Sequence, residues 1–218
     1  MVVGVIDRTD ADGPGQVTVG TTLRWSAGLS CTRVAAARPV AAQERPDQVA
    51  VVPLTGGLAL LAVRGLAAAL AEVFLSAFAA PPWNQTSCQA RSLPDRMLAD
   101  AGQPGFVLAL ARTHGGGLAG FGYGLPRCPA PGSGAHPLPF AEPRPFELCD
   151  LAVRPSAGGT GAWQALHDGI LAASGPQPRW LVTPPAGRLY QASGWQVSRV
   201  LPGDAADGGG RILMTRPC

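Results

Sequence analysis

A glycine-rich loop between an apolar run and a helix-like stretch is the first place where this sequence could do chemistry. Residues 151–171 read LAVRPSAGGTGAWQALHDGIL, and Gly158, Gly159 and Gly161 come just before apolar residues at helical spacing. A helix N-terminus leaves about four backbone N–H groups unpaired and carries partial positive charge, so such a loop can bind a phosphate group. A tight connection between a strand and a helix, with no ligand, explains the pattern equally well.

A second stretch, AGRLYQASGW at 186–195, contains one of the two tyrosines of the chain. The pattern predicts a short helix with Leu189 and Tyr190 near its end. Gly194 is placed to serve as a left-handed cap, and Trp195 would begin the next strand. Taken alone, this stretch indicates a capped helix with a half-buried tyrosine.

The composition excludes several classes of function. The chain has 218 residues, of which 46% are apolar, and a mean hydropathy of +0.15, enough for one α/β domain with a sizeable core. All 17 basic residues are arginines scattered along the chain, so no basic patch for nucleic acid is predicted. The lack of lysine excludes a Walker phosphate loop and a lysine Schiff base. The five cysteines and three histidines lack metal-ligand spacing, so we expect neither a metal site nor a disulfide framework.

No targeting or membrane-spanning segment is predicted. Asp7 and Arg8 come early, and no basic start followed by an apolar run precedes them. The uncharged stretch at 49–63 is interrupted by Pro53 and is too short to span a bilayer. We therefore expect a cytoplasmic protein with no membrane partner and no nucleic-acid partner.

The chain divides into two parts at about residue 48. Residues 1–48 have weak periodicity and are predicted to be an N-terminal extension, mobile or non-native, with one strand at Gln16–Leu23. Residues 49–218 form the predicted domain, of mixed α/β class. Its predicted strands lie at 49–52, 106–113, 117–126, 146–153, 179–183, 195–201 and 210–215, and its predicted helices at 58–78, 87–100, 162–173 and 186–193.

The histidine and glycines at 114–117 read HGGG, which resembles the oxyanion segment of some esterases. The sequence contains no G-x-S-x-G nucleophile elbow, and a hairpin turn explains these residues better. A hydrolase is therefore a distant third interpretation. Near the end of the first helix, Trp83 is predicted to pack against that helix, although Trp83 and Asn84 could also line an acceptor pocket. Cys149 is predicted to be a small core residue.

Together the two stretches resemble the acetyl-CoA-binding half of the GNAT superfamily of N-acetyltransferases. The resemblance lies in the order of the elements, which is a strand, the stretch VRPSAGGTGAWQAL, a helix, the strand RWLVT and the stretch AGRLYQASGW. The family signature has Arg or Gln, two residues, Gly, one residue, and Gly or Ala, followed by A-x-x-L-Y-x-x-x-G-F/W. The resemblance covers roughly residues 49–216 and depends on the combination of both pieces. It implies a GNAT-like fold, which is a mixed, splayed β-sheet flanked by helices on both faces.

The resemblance also implies where a coenzyme A thioester would bind. The strand at 146–153 would be the fourth strand of the family, which splays from the fifth to admit the pantetheine arm. The backbone of the stretch Leu151, Ala152 and Val153 would pair with that arm. The N–H groups of the loop would hold the pyrophosphate, and the loop residues are Gly158, Gly159, Thr160, Gly161, Ala162 and Trp163.

Tyr190 matches the family tyrosine that protonates the leaving thiolate, a role that suits a phenol of pKa near ~10 against a thiol near ~8.5. Glu147 is the candidate general base, acting on the attacking amine through water. It lies six residues before Val153, and strand alternation predicts that both side chains share one face. Asp150 is the competing base, with its side chain predicted on the opposite face. Glu147 facing solvent or pairing with an arginine is the alternative that stays open.

Two positions of the glycine loop depart from the family signature. The sequence therefore leaves two functions open, an active acyltransferase and a module with an impaired site. Gly158 stands at the Arg or Gln position and Trp163 at the final Gly or Ala position. With an active site, the chain would transfer an acetyl group from acetyl-CoA directly to a primary amine of a small acceptor. With an impaired site, it would be a GNAT-fold module that binds acyl-CoA or a partner. No metal is implied in either case, and a homodimer stays open.

Overall fold

The structure, a computed structural model, describes residues 49–129, 144–185, 188–201 and 210–217. The predicted extension at 1–48, with its strand, therefore lies outside the described residues, as does most of the loop at 126–145. The described residues form seven strands and five α-helices, which follow the predicted order except that two helices take the place of the first predicted one. They are β1 (Ala50–Thr55), α1 (Gly56–Gly65), α2 (Ala67–Phe78), α3 (Ser87–Ala101), β2 (Val107–Arg112), β3 (Leu118–Pro126), β4 (Phe146–Val153), α4 (Ala162–Ala173), β5 (Arg179–Thr183), α5 (Arg188–Ala192), β6 (Gln196–Leu201) and β7 (Arg211–Arg216).

The seven strands form a single mixed sheet in the order β1-β2-β3-β4-β5-β7-β6. Neighbouring strands are antiparallel except for β4 and β5, which are parallel. Apolar residues of α1, α2 and α3 pack against one face, and those of α4 pack against the other. The predicted GNAT-like α/β fold, with helices on both faces of a mixed sheet, is confirmed.

The sheet is splayed between β4 and β5. The two strands pair only at Phe146 with Arg179 and at Glu147 with Trp180. Beyond these positions β4 continues to Val153 and β5 to Thr183 without pairing to each other. The edge of β4 that faces β5 is therefore open to a ligand over most of its length.

Glycines in β3 allow α4 to lie close to the sheet at this split. A Cβ atom at Gly122 would come within 2.5 Å of Cδ1 of Ile170 in α4. At Gly120 a Cβ atom would lie 3.0 Å from Cδ1 of Leu166. Because contacts this short are repulsive, larger residues would push α4, and the loop in front of it, away from the sheet.

The predicted long helix at 58–78 is wrong, because the chain forms two helices that meet at an angle of 77°. Leu66 between them has φ −114° and ψ 13°, outside the helical region, and it follows Gly65. No single helix among the described residues is long and apolar enough to cross a membrane, whereas the bent pair α1 and α2 meets the length and composition criteria when taken together.

A β-bulge in β4 changes which side chains share a face of the sheet. Tyr123 pairs with Asp150 and the next residue, Gly124, pairs with Leu148, so Cys149 has no partner on β3. One extra residue in a strand interrupts the alternation of its side chains. Asp150 and Glu147 therefore both lie on the face covered by α3, beside a small cavity lined by α3 residues.

The predicted alternation in β4 is wrong for the same reason. Val153 packs against the α4 face, opposite to Glu147, although the two residues were expected on one face. Asp150 was expected on the face opposite to Glu147 and lies on the same one. The bulge thus brings together two carboxylates that regular alternation would separate.

Candidate active site

The divergence of β4 and β5 opens a cleft with a volume of about 1170 Å³. Its walls come from β4, the loop before α4, α5, and the segment between α2 and α3. Most of the residues predicted for the site line this cleft, namely Glu147, Leu151, Val153, Gly158, Gly159, Gly161, Ala162, Trp163 and Tyr190.

The other two predicted site residues, Ala152 and Thr160, do not line the cleft. Ala152 is fully buried on the face of the sheet that α1, α2 and α3 cover. The Thr160 hydroxyl donates a hydrogen bond to the Ala157 carbonyl at 2.8 Å and accepts one from the Ala162 N–H at 3.3 Å. The threonine side chain therefore holds the shape of the loop.

The glycine loop presents backbone donors at the start of α4. Gly159 and Gly161 have φ values of +77° and +80°, which glycine adopts without the strain that a Cβ atom brings. Within the described part of the chain, neither of their N–H groups has a hydrogen-bond partner. The first bond of the 12-residue helix α4 runs from Ala165 N–H to the Gly161 carbonyl, and the Ala162 N–H bonds to the Thr160 hydroxyl, so the N–H groups of Trp163 and Gln164 also lack a partner among the described residues. The loop can therefore bind an anion.

Trp163, in the first turn of α4, packs along the helix towards α5. Its ring stacks on His167 with a centroid distance of 5.1 Å and an interplanar angle of 13°. It also meets the Tyr190 ring edge to face at 5.3 Å and 69°. Trp163 thus connects the glycine loop to the tyrosine.

Tyr190 in α5 is mostly buried among aromatic rings and lines the cleft. The centroid of the Trp195 ring lies 6.1 Å from that of the Tyr190 ring, also edge to face. The backbone N–H of Trp195 donates to the Tyr190 carbonyl at 3.0 Å. Burial raises the pKa of Tyr190 well above its ordinary value, and the negative charge of Asp150 adds to the shift. The phenol is therefore protonated at neutral pH and can donate a proton. The predicted left-handed cap at Gly194, with φ +84°, is confirmed.

The opposite wall of the cleft carries two mostly buried carboxylates. Burial raises the pKa of Glu147 to about 7, although Arg127 opposes the shift. The Arg127 guanidinium lies 3.5 Å from Oε2 of Glu147 and also contacts the Asp100 carboxylate. Oε2 of Glu147 is buried and has no hydrogen-bond partner among the described residues. An oxygen in this state accepts a proton more readily than an ordinary glutamate does.

Asp150 is the second carboxylate, and its environment differs. Burial raises the pKa of Asp150 to about 6, against the effects of Arg96 and of a hydrogen bond from Tyr123. The Arg96 guanidinium lies 3.7 Å away and is about half exposed. Asp150 therefore accepts a hydrogen bond, whereas Oε2 of Glu147 has an ion pair with Arg127 and no hydrogen bond among the described residues, which favours Glu147 as the group that exchanges a proton.

The interpretation from sequence missed several residues of this cleft. It gave no role to Asp100, Arg127 or Arg96, which are far from β4 in the chain and meet it only through tertiary packing. It also gave no role to His167, although the spacing of four residues from Trp163 places both on one helix face. Trp83 contacts Phe78 at 5.3 Å, as expected for packing against the first helix, and also lines the cleft.

Solved structures resemble this chain in fold. A protein from Corynebacterium glutamicum named histone acetyltransferase HPA2 and related acetyltransferase has a TM-score of 0.58 and 22% identity, and the match covers 78% of this chain and 96% of that one. An acetyltransferase assigned to the GNAT family from Desulfovibrio desulfuricans has a TM-score of 0.52 and 22% identity, covering 78% and 98%. The ribosomal-protein-S18-alanine N-acetyltransferase of Escherichia coli has a TM-score of 0.52 and 14% identity, covering 78% and 94%.

No protein-family model matches the chain, and no curated protein matches it either. The similarity to solved structures, at identities of 14–22%, shows the fold. What the cleft does has to be argued from its own residues.

Proposed function

We propose that this protein is a GNAT-superfamily N-acetyltransferase that transfers the acetyl group of acetyl-CoA directly to a primary amine of a small acceptor. One observation carries the proposal, which is the composition of the cleft between β4 and β5. A protonated phenol, free backbone N–H groups and a carboxylate with a pKa near neutrality line the same cleft. These are the donor, anion site and base that acyl transfer to an amine needs.

The residues present fit a coenzyme A thioester. The N–H groups of Gly159 and Gly161 would hold the pyrophosphate, because these residues have no Cβ atom and no group among the described residues accepts a hydrogen bond from them. The open edge of β4, at Leu151 and Val153, would pair with the amide groups of the pantetheine arm. The thioester supplies an activated acetyl group and a thiolate leaving group.

Tyr190 acts as the general acid in this proposal. Its proton passes to the departing sulfur as the carbon–sulfur bond breaks, and the phenol is restored from solvent. The raised pKa keeps the phenol protonated at neutral pH and also makes it a weaker acid, so its proton passes only as the departing sulfur takes up negative charge. The free N–H groups of β4 would polarise the thioester carbonyl, as preorganised donors do in an oxyanion hole.

Glu147 acts as the general base. An amine has to lose a proton as its nitrogen forms the new carbon–nitrogen bond, and that proton would pass to Oε2 of Glu147, directly or through water. The pKa of about 7 makes this carboxylate a stronger base than an exposed glutamate. Arg127, beside the same oxygen, limits the shift and keeps the carboxylate available.

Calorimetric titration of the full chain with acetyl-CoA, and separately with free coenzyme A, tests the coenzyme site. We expect micromolar affinity for both, because the pyrophosphate and pantetheine contacts are common to them. A panel of small primary amines, followed by release of free thiol from acetyl-CoA, then tests transfer. Acetylated amine as the product confirms the proposal.

Two other outcomes contradict it. Binding of both ligands without transfer to any amine supports the alternative function, a GNAT-fold module that binds acyl-CoA. Failure to bind either ligand means that the glycine loop only connects β4 to α4.

A further inference from the structure

A histidine that the proposed chemistry does not use lies at the centre of the aromatic cluster beside Tyr190. His167 in α4 is fully buried, with a side-chain exposure of 0%. A buried imidazole needs partners for both ring nitrogens.

Both ring nitrogens of His167 are partnered, and the partners define its tautomer. Trp195 Nε1–H donates to His167 Nε2 at 2.8 Å, and an indole nitrogen can only donate. Nε2 is therefore the acceptor, and the ring proton sits on Nδ1, which donates to Oδ1 of Asp168 at 2.8 Å. Gln164 in turn donates to both oxygens of Asp168 at 3.0 and 2.9 Å. The hydrogen bonds from Trp195 through His167 and those from Gln164 therefore converge on the Asp168 carboxylate, which only accepts.

His167 also contacts the two indole rings that enclose Tyr190. The Trp163 ring stacks on His167 at 5.1 Å, and Trp195 meets it edge to face at 6.2 Å. The same two rings meet Tyr190 edge to face, at 5.3 and 6.1 Å. The orientation of both rings around the tyrosine thus depends on one shared neighbour.

We propose that His167 is a positioning residue that fixes the Tyr190 ring in the cleft by holding Trp163 through stacking and Trp195 through a hydrogen bond. This inference rests on the proposed function, in which Tyr190 is the general acid. Trp163 and Trp195 then enclose the Tyr190 ring from two sides. This explains why a tryptophan stands at position 163, where the family signature has Gly or Ala. A phenol that is held in one orientation donates its proton along one direction.

The network requires a neutral His167. In a protonated ring, Nε2 would carry a hydrogen that points at the indole Nε1–H of Trp195, and the hydrogen bond between them would be lost. Burial lowers the pKa of His167, and Asp168 opposes this. The guanidinium groups of Arg179 in β5 and Arg216 in β7 also disfavour the cation. Tyr190 stays protonated and adds no charge in this range, so the hydrogen bond persists at neutral pH.

Because the chain has two tyrosines, NMR of ring-labelled tyrosine gives a direct measurement. Tyr190→Phe assigns the Tyr190 signals, and Tyr123 serves as an internal reference. We expect one sharp set for Tyr190, shifted by the ring currents of Trp163 and Trp195. The readout needs no activity, so it tests the network even where acetyl transfer fails.

His167→Phe keeps an aromatic ring to stack on Trp163 and removes the acceptor for Trp195. We expect the Tyr190 signals to lose their ring-current shift and broaden. We also expect kcat to fall about tenfold while affinity for acetyl-CoA changes less than about twofold, since a small displacement of a reacting group slows chemistry more than binding. His167→Gln keeps an acceptor for the Trp195 N–H and should restore part of both the shift and kcat.

Trp180→Phe is the matched control, because Trp180 also donates its indole N–H, to the Arg127 carbonyl at 2.7 Å, without contacting Tyr190. It should leave the Tyr190 signals in place. Where His167→Phe does not fold, His167→Leu also removes the acceptor for Trp195, leaves both indole rings in the chain, and should displace the Tyr190 signals alike.

Two results overturn the inference. One is a folded His167→Phe, or in its absence His167→Leu, with unchanged Tyr190 signals. The other is displaced signals with wild-type kcat in an active protein, which would mean that the orientation has no catalytic consequence. A wild-type protein without acetyl transfer refutes the proposed function instead, and the NMR signals still decide whether His167 orients Tyr190.

Discussion

The two walls of the cleft hold their titratable side chains in opposite surroundings, one neutral and one charged. The aromatic wall consists of Trp163, His167, Tyr190 and Trp195, and it is neutral and linked by stacking and directed hydrogen bonds. The carboxylate wall consists of Glu147 and Asp150 with Arg96, Arg127 and Asp100, and it is built from charges that meet at 3.5–3.7 Å or closer.

The same physical cause, burial, has different consequences on the two walls. On the aromatic wall it raises the pKa of a phenol that is already protonated, so the phenol retains its proton at any physiological pH. On the carboxylate wall it raises the pKa of Glu147 to about 7, so the group gains and loses a proton near neutrality. Pairs of groups whose environments separate their protonation states are typical of acid–base sites. In the proposed function we therefore expect the acid on the aromatic wall and the base on the carboxylate wall.

Removing the phenol hydroxyl should have the largest effect. We expect Tyr190→Phe to lower kcat about 100- to 1,000-fold, the usual contribution of a general acid, while the dissociation constant of acetyl-CoA changes less than about threefold. Steady-state kinetics and calorimetry measure the two quantities. Unchanged turnover would remove Tyr190 from the chemistry and leave the aromatic wall a structural feature.

Gly161→Val should act on binding instead. The position has φ +80°, where a β-branched residue is strained, although no described atom other than those of its chain neighbours lies within 4 Å of a Cβ there. We expect acetyl-CoA affinity to fall at least about 100-fold, because the strained loop would misdirect the donors that hold the pyrophosphate.

Gly169→Ala, inside α4, is the control for this change. A Cβ atom there makes an ordinary contact with Val51 at 3.4 Å, and replacing a mid-helix glycine usually stabilises the helix by up to about 1 kcal/mol. Affinity for acetyl-CoA should not change in this variant. Wild-type affinity in Gly161→Val would refute the phosphate site.

Glu147→Gln tests the base through the pH profile. A base has to be deprotonated, so the activity of the wild-type protein should fall as the pH drops below about 7. In the variant we expect kcat to be about 30-fold lower at pH 8, with this acid limb absent. Initial rates measured at pH values from about 5.5 to about 9 would show both the lower kcat and the loss of the acid limb.

Asp150→Asn separates the two carboxylates. The limb should remain and move to lower pH, because the charge of Asp150 contributes to the raised pKa of Glu147. If Asp150→Asn abolishes the limb and Glu147→Gln keeps it, Asp150 is the base.

The sequence predicted the fold well because its main determinants are local. Periodicity and the glycine turns gave the order of the elements, and Gly194 capped α5 as expected. The break between α1 and α2 could not be predicted from composition, since Gly65 and Leu66 lie in an otherwise continuous apolar run and glycine does not always end a helix.

The site was predicted less completely, because its electrostatics depend on tertiary packing. Tyr190 and the glycine loop follow a sequence pattern and line the cleft. The bulge at Cys149, which turns Asp150 towards Glu147, has no marker in the residues FELCDLAV. The ion pair between Arg127 and Glu147 joins β4 to a residue that precedes a long loop, and alternation along one strand cannot reveal it.

The smallest effect we expect is on the free energy of unfolding. As the pH rises, the carboxylate wall should lower this free energy and the aromatic wall should raise it. The folded pKa of Glu147, about 7, lies above its unfolded value of 4.5. Between these values the folded state keeps a proton that the unfolded state has released, so this group lowers the free energy of unfolding as the pH rises. His167 has a folded pKa below its unfolded value of 6.5, so its effect raises that free energy as the pH rises towards 6.5.

Denaturant unfolding of the wild-type, Glu147→Gln and His167→Phe proteins at pH values from about 5 to about 8 covers most of the interval between the ordinary and the raised pKa of Glu147 and separates the two contributions. Relative to the wild type, Glu147→Gln should gain about 1–2 kcal/mol of stability between pH 5 and 8, because it no longer has a buried carboxylate to ionise. His167→Phe should show a flatter curve below pH 6.5, the unfolded value of the imidazole. Parallel curves for all three proteins would mean that neither wall is as desolvated as the structure indicates, and the division into acid and base would lose its physical basis.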